Sequence, residues 1–326
     1  MKFSVKGIRG IGIELNSDIE LSDMTVVIGP NGSGKTLFAK LLYSIIRALT
    51  RPSPEMLYHG GVDTERAVSI HLSEELVRVF GSRPSLSGEV ELISEDQGKV
   101  SISLNQEKIT VDLSRVGGLV SELYSKFFPV IYGSVRRAEV LFNNQAGGEL
   151  ADLYELVKET AAEARIYGRR EEQVERLGLS VIAERDGIRA SSSLRGVELN
   201  INEIPYGYAQ IIPIVLMLRS YRYLIIDEPT LNLHADAQVK LADYLYDKAL
   251  ADRRFIVTTH SDVFAVQLAV NHVKRGKDKG KTLKIYLLNN GRAEEIKYTE
   301  KGDIESIPTI TDVIKEQIRE IYGTNV

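Results

Sequence analysis

Gly29-Pro30-Asn31-Gly32-Ser33-Gly34-Lys35-Thr36 has the residue types and spacing that hold a phosphate. Glycines let the backbone curl so that successive N–H groups point inward at an anion. A helix beginning at the end of such a loop adds unpaired donors and a partial positive charge. Lys35 supplies a mobile cation for the β- and γ-phosphates, and Thr36 offers a hydroxyl to Mg²⁺. The candidate contacts are therefore Gly29, Asn31, Gly32, Ser33, Gly34, Lys35 and Thr36. The rival reading is a glycine-rich turn that only joins a strand to a helix. The flanks favour phosphate, because Thr25-Val26-Val27-Ile28 reads as a buried strand and Leu37 to Leu42 as a helix.

Two more stretches place chemistry at strand ends. Tyr223-Leu224-Ile225-Ile226-Asp227-Glu228 is an apolar run closed by two carboxylates. In a nucleotide site this strand is expected parallel beside the phosphate loop. Asp227 would then hold Mg²⁺ and Glu228 would take a proton from the attacking water. The alternative is an acidic cap on the helix that starts near Ala235. Phe255-Ile256-Val257-Thr258-Thr259-His260 is a second apolar run, ending in one of only five histidines. His260 suits a γ-phosphate contact, against the alternative of a surface histidine capping the helix at Asp262.

These residues need a scaffold, and the hydrophobic pattern outlines one. Phe3 to Arg9 and Ile11 to Leu15 read as strands joined at Gly10. A helix is predicted from Thr36 to about Leu49, stopped by Arg51-Pro52-Ser53-Pro54. Alternating runs at Val68 to Leu72, Glu89 to Ile93, Val100 to Leu104 and Lys108 to Asp112 predict an antiparallel sheet. Val130-Ile131-Tyr132 reads as a buried strand. The charged segment from Glu149 to Leu177 predicts an inserted helical lobe, with short strands returning at Ser180 to Ala183 and Val197 to Ile201. The end reads as a hairpin, Lys284 to Leu287 with Ala293 to Ile296, and a helix near Ile310 to Ile321. The expected division is an ATP-binding lobe over 1–148, a helical and signature insertion over 149–207, and the second half of the core over 208–326.

Composition narrows the classes. With no cysteine, disulfides and thiolate metal sites are excluded. A formal net charge of −4 removes any global basic field that would draw the chain to nucleic acid or membrane. The longest apolar run, Ile211 to Leu218, is too short to cross a bilayer. The first residues alternate like a strand and lack a signal-peptide core, so a cytoplasmic protein without a membrane partner is expected.

The order of phosphate loop, long insertion, Asp-Glu-Pro strand and Thr-His-Ser strand resembles the ABC-type ATPases. The stretch from Asp227 to Ala235, with His234 where transporter subunits usually carry Asp, is similar to the soluble RecF-, SMC- and OLD-like members. Gly133-Ser134-Val135-Arg136-Arg137-Ala138 is similar to the Pro-Ala-Ser-Arg segment of the same group. The resemblance implies an α/β P-loop NTPase fold of ABC-ATPase type with an antiparallel β subdomain and a helical insertion, and no long coiled coil. It implies Mg²⁺-dependent ATP hydrolysis, with Lys35, Glu228 and His260 catalytic and Thr36 and Asp227 on the metal. It further implies an ATP-dependent homodimer in which a Ser-Gly-x-x-Gln signature loop completes the partner's site. Tyr206, Gly207 and Gln210 match that signature, with Tyr206 standing where serine is expected. Gln145 is the candidate for the glutamine that reaches the metal. DNA repair, chromosome maintenance or defence against mobile DNA are the implied settings. DNA is the implied client, and a separate nuclease or effector the implied partner. The rivals are a transporter ATPase subunit and a scaffold that binds ATP without turning it over.

Overall fold

The computed structural model describes residues 1–10, 12–50, 64–105, 108–143, 147–185, 187–192, 197–304 and 316–320. Its first half runs β1 (Lys2–Gly10), β2 (Ile13–Glu20), β3 (Met24–Ile28), α1 (Lys35–Thr50), α2 (Thr64–Phe80), β4 (Ser87–Ile93), β5 (Lys99–Leu104), β6 (Ile109–Arg115), α3 (Leu119–Phe127) and β7 (Val130–Gly133). There follow α4 (Ala151–Tyr167), β8 (Arg170–Val174), β9 (Leu179–Glu184), β10 (Gly187–Ser192), β11 (Val197–Leu199) and α5 (Tyr206–Ser220). The last part holds β12 (Tyr223–Asp227), α6 (Ala235–Leu250), β13 (Arg254–Thr259), α7 (Asp262–Asn271), β14 (Leu283–Asn289) and β15 (Arg292–Ile296).

The central sheet has the order β15-β14-β3-β13-β12-β7. All its neighbours are parallel except the β14–β15 hairpin. Parallel strands are buried on both faces, which is why they read as continuous apolar runs. Along β12, Tyr223 and Ile225 enter the core shared with α1, α2 and α3, whereas Leu224 and Ile226 enter the core shared with α5, α6 and α7. β13 lies between β3 and β12, so the Asp-Glu strand is not the direct neighbour of the phosphate-loop strand, as its parallel-beside expectation had it. Periodicity cannot order strands that are all equally apolar.

A second sheet, β2-β1-β4-β5-β6, is antiparallel and matches the expected subdomain, with one exception. Val68 to Leu72 is not a strand but part of α2. Its five residues alternate, yet Ala67, Val68, His71, Leu72, Glu75, Leu76 and Val79 are buried, a helical spacing over the longer window. The helix also carries Glu75, which accepts a hydrogen bond from Arg47 of α1 at 2.7 Å.

The segment predicted to be a helical lobe is only partly helical. It contains α4 and then β8, the edge of a third, antiparallel sheet β11-β10-β9-β8, in which β9 and β11 cover the strands expected near Ser180 and Val197. β8 buries only Val174, and its charged residues give no apolar alternation to read. The C-terminal hairpin forms as expected, closing at Asn290 and Gly291, both with positive φ. Of the predicted last helix, residues 316–320 are helical, and the remainder lies outside the described residues. No described helix is long and apolar enough to cross a membrane.

Candidate functional site

The sheet register brings four strand ends to one edge. Ile28 pairs with Thr259, Thr258 with Asp227, and Ile226 with Gly133. The phosphate loop, His260, the two carboxylates and the Ser134 turn therefore leave the carboxyl ends of adjacent strands, where open α/β sheets bind ligands.

The loop is shaped by its glycines. Gly34 has φ +103, and a Cβ there would stand 2.6 Å from Leu15 Cδ2. At Gly29 a Cβ would sit 2.1 Å from the Leu288 carbonyl oxygen. Lys35, 6% exposed, donates from Nζ to Gly29 O at 2.8 Å and Pro30 O at 2.9 Å. Burial lowers its pKa, and the nearby Glu228 and Asp227 charges oppose that shift. Ser33 Oγ is buried with no hydrogen-bond partner, a donor suited to an anion in the loop. Asn31, Gly32, Ser33, Gly34, Lys35 and Thr36 all line one cavity of about 490 Å³. Ile13, Lys40, Phe80, Glu228, Leu231 and His260 complete its wall. That volume lies within the range of small-molecule sites, roughly 300–1,000 Å³.

Asp227 is fully buried. Its carboxylate accepts from the Thr258 hydroxyl and, at 3.2 Å, from the Tyr132 hydroxyl. Burial first, then the Asp227 charge, push the Tyr132 phenol well above its ordinary pKa. Glu228 has φ +51, a left-handed conformation uncommon for a non-glycine residue. Its carboxylate stands 3.8 Å from Lys35 Nζ and 2.9 Å from His260 Nδ1. The rival capping roles fall to other residues. His234 caps α6, and Ser261 Oγ accepts from Phe264 N to cap α7. Glu228 and the half-exposed His260 are thereby left for the cavity, whereas Asp227 is buried behind it and does not line it.

The signature residues lie elsewhere. Tyr206 opens α5 and is 52% exposed. Gly207 packs against the loop after Glu228, where a Cβ would come 2.9 Å from Asn232 O. The Gln210 side chain is fully buried, and neither of its amide atoms has a partner. None of the three lines the cavity around Lys35. Gln145 lies outside the described residues. Sequence reasoning missed Thr258 and Tyr132, which hold Asp227, and Phe80, because α2 was read as a strand. It also did not separate Arg136 from Arg137. Arg136 is exposed and pairs with Glu139, whereas Arg137 is fully buried beside the carboxylates.

Residues 24–266, well over half of the chain, match the family described as "AAA domain, putative AbiEii toxin, Type IV TA system". The chain belongs to this family. Its fold is α/β, a mostly parallel six-stranded sheet with two antiparallel sheets beside it and a glycine-rich loop between β3 and α1, as a P-loop NTPase has. No curated protein matches the sequence significantly. Among solved structures, the SMC head bound to the C-winged helix domain of ScpA is similar at 14% identity and TM-score 0.49, over 90% of this chain and 96% of that one. The SMC head domain from Thermotoga maritima is similar at 14% identity and TM-score 0.42, over 91% and 98%. The ADP conformation of an ATP-binding cassette of an ABC transporter is similar at 13% identity and TM-score 0.43, over 98% and 99%. ATP is the ligand expected of the family's nucleotide site.

Proposed function

We propose that the protein is a Mg²⁺-dependent ATPase in which Glu228 is the general base. The observation that carries this is the Glu228 carboxylate at the wall of the phosphate-loop cavity, between Lys35 and His260. Loop amides and Lys35 bind the phosphates. Glu228 accepts the proton of a water attacking the γ-phosphate. His260, free of any helix cap, steadies the γ-phosphate once it moves from Glu228 to substrate. Thr36 at the cavity wall would hold Mg²⁺ directly, and Asp227, buried behind the wall and hydrogen-bonded to Thr258 and Tyr132, would hold it through water; when bound, the metal would neutralise charge on the β- and γ-phosphates.

The wider role rests on family membership and the signature residues. Two heads dimerise around ATP, with the exposed Tyr206 presented to the partner's nucleotide. The family description, which names a toxin of a toxin–antitoxin system, favours a role in defence over repair or chromosome maintenance. DNA is the proposed client, with cleavage left to a separate partner. Phosphate release by the purified protein, with and without duplex DNA at low salt, tests both levels. Turnover absent from wild type but with ATP bound would replace the enzyme by a static ATP-holding scaffold. Turnover indifferent to DNA, with no DNA binding in ATP, would remove DNA as the client.

A further inference from the structure

Arg137 is the largest fully buried side chain among the described residues, and its guanidinium makes four hydrogen bonds, all to main-chain carbonyls. Nε donates to Gln210 O at 2.9 Å, in the first turns of α5. Nη1 donates to Ser134 O at 3.1 Å and Asp227 O at 2.9 Å. Nη2 donates to Glu228 O at 2.9 Å. One planar cation thus grips both carboxylate-bearing residues, the end of β7 and the helix that begins with Tyr206. Burial pulls its pKa down to about 10, which leaves it charged at neutral pH.

The grip matters most at Glu228. Its backbone is held in the left-handed region, where side chains with a Cβ are disfavoured. Three hydrogen bonds fix that peptide: Glu228 N to Thr258 O, Leu231 N to Glu228 O, and Arg137 to Glu228 O. Only the last also reaches α5. A lysine could replace it only in part, because an ammonium keeps the charge but has at most three donors for four carbonyls.

We infer that Arg137 is a positioning residue, which holds Glu228 in its strained backbone conformation and ties that conformation to the start of α5. The inference rests on the reading of Glu228 as general base, and its test separates the two. Arg137→Met and Arg137→Lys are compared with wild type in kcat, ATP affinity and hydrogen exchange. The Met variant is expected to lose about 100-fold in kcat, the lower end for general-base loss, with ATP affinity within about threefold. The Lys variant should recover part of that loss, roughly tenfold. Hydrogen exchange should accelerate together in residues 206–214 and 227–233, while β3 keeps its protection. Wild-type kcat in either folded variant would overturn the inference. Acceleration throughout the chain, or in neither segment, would do the same by showing a purely structural cation. Should wild type show no turnover, the proposed ATPase fails, and paired exchange in the two segments still decides the role of Arg137.

Discussion

Replacing Glu228 by glutamine tests the chemistry most directly. The amide keeps the size of the carboxylate but cannot accept a proton from water. General-base loss costs about 10²–10⁴ in rate, or about 2.7–5.4 kcal/mol of barrier. Binding should respond differently. Glu228 stands 3.8 Å from Lys35, a gross attraction on the order of 4 kcal/mol at an effective dielectric of 20. Losing it does not release Lys35, which keeps its bonds to the Gly29 and Pro30 carbonyls. The substitution also removes a negative charge that would face the γ-phosphate. ATP affinity should therefore hold or tighten while kcat collapses. Phosphate release at saturating ATP gives the first quantity, and equilibrium titration with a fluorescent ATP analogue gives the second. A Glu228→Gln protein that turns over within tenfold of wild type would refute the general-base role. One that no longer binds ATP would refute the claim that the side chain acts after binding.

Lys35→Ala should abolish tight ATP binding with the circular dichroism spectrum unchanged, because its ammonium donates to the Gly29 and Pro30 carbonyls of its own loop and bridges no other element's backbone. Normal phosphate release from that variant would defeat the ATPase reading. Glu228→Gln with ATP and Mg²⁺ should accumulate as a dimer by light scattering, and a monomer at micromolar concentration would mean that Tyr206 cannot replace the signature serine. Asp262 has a buried, unpartnered carboxylate oxygen, and burial raises its pKa from 3.8 to about 6. The folded state therefore binds the proton more tightly than the unfolded chain, so stability falls as pH rises from about 4 to 6 and stays reduced above. Asp262→Asn should accordingly raise the melting temperature at pH 7.5, by roughly 2 °C after allowing for solvent screening, and leave it unchanged near pH 4. An equal shift at both pH values would assign the effect to packing.

The strand, glycine turn and helix around Gly29 to Thr36 were legible because backbone conformation and a helix start are set within a few residues. Asp227, Glu228 and His260 were legible for a related reason, since each ends an apolar run long enough to be a buried strand. The antiparallel subdomain followed from alternation, except in α2, where five alternating residues outweighed a longer helical spacing. What joins these pieces is not local. The pairing of β13 with β3, which places β13 between β3 and β12, joins residues more than two hundred apart, as with Phe255 and Met24, and apolar strands carry no mark of their order. The choice between Arg136 and Arg137 was equally closed to sequence. Adjacent arginines after a buried strand look alike until the fold turns one to solvent and surrounds the other with the carbonyls of Ser134, Gln210, Asp227 and Glu228. The Gln210 side chain matches a signature spacing, yet packing of α5 against the sheet buries it. Residue types named the reagents of the site, and only tertiary packing decided which of them meet.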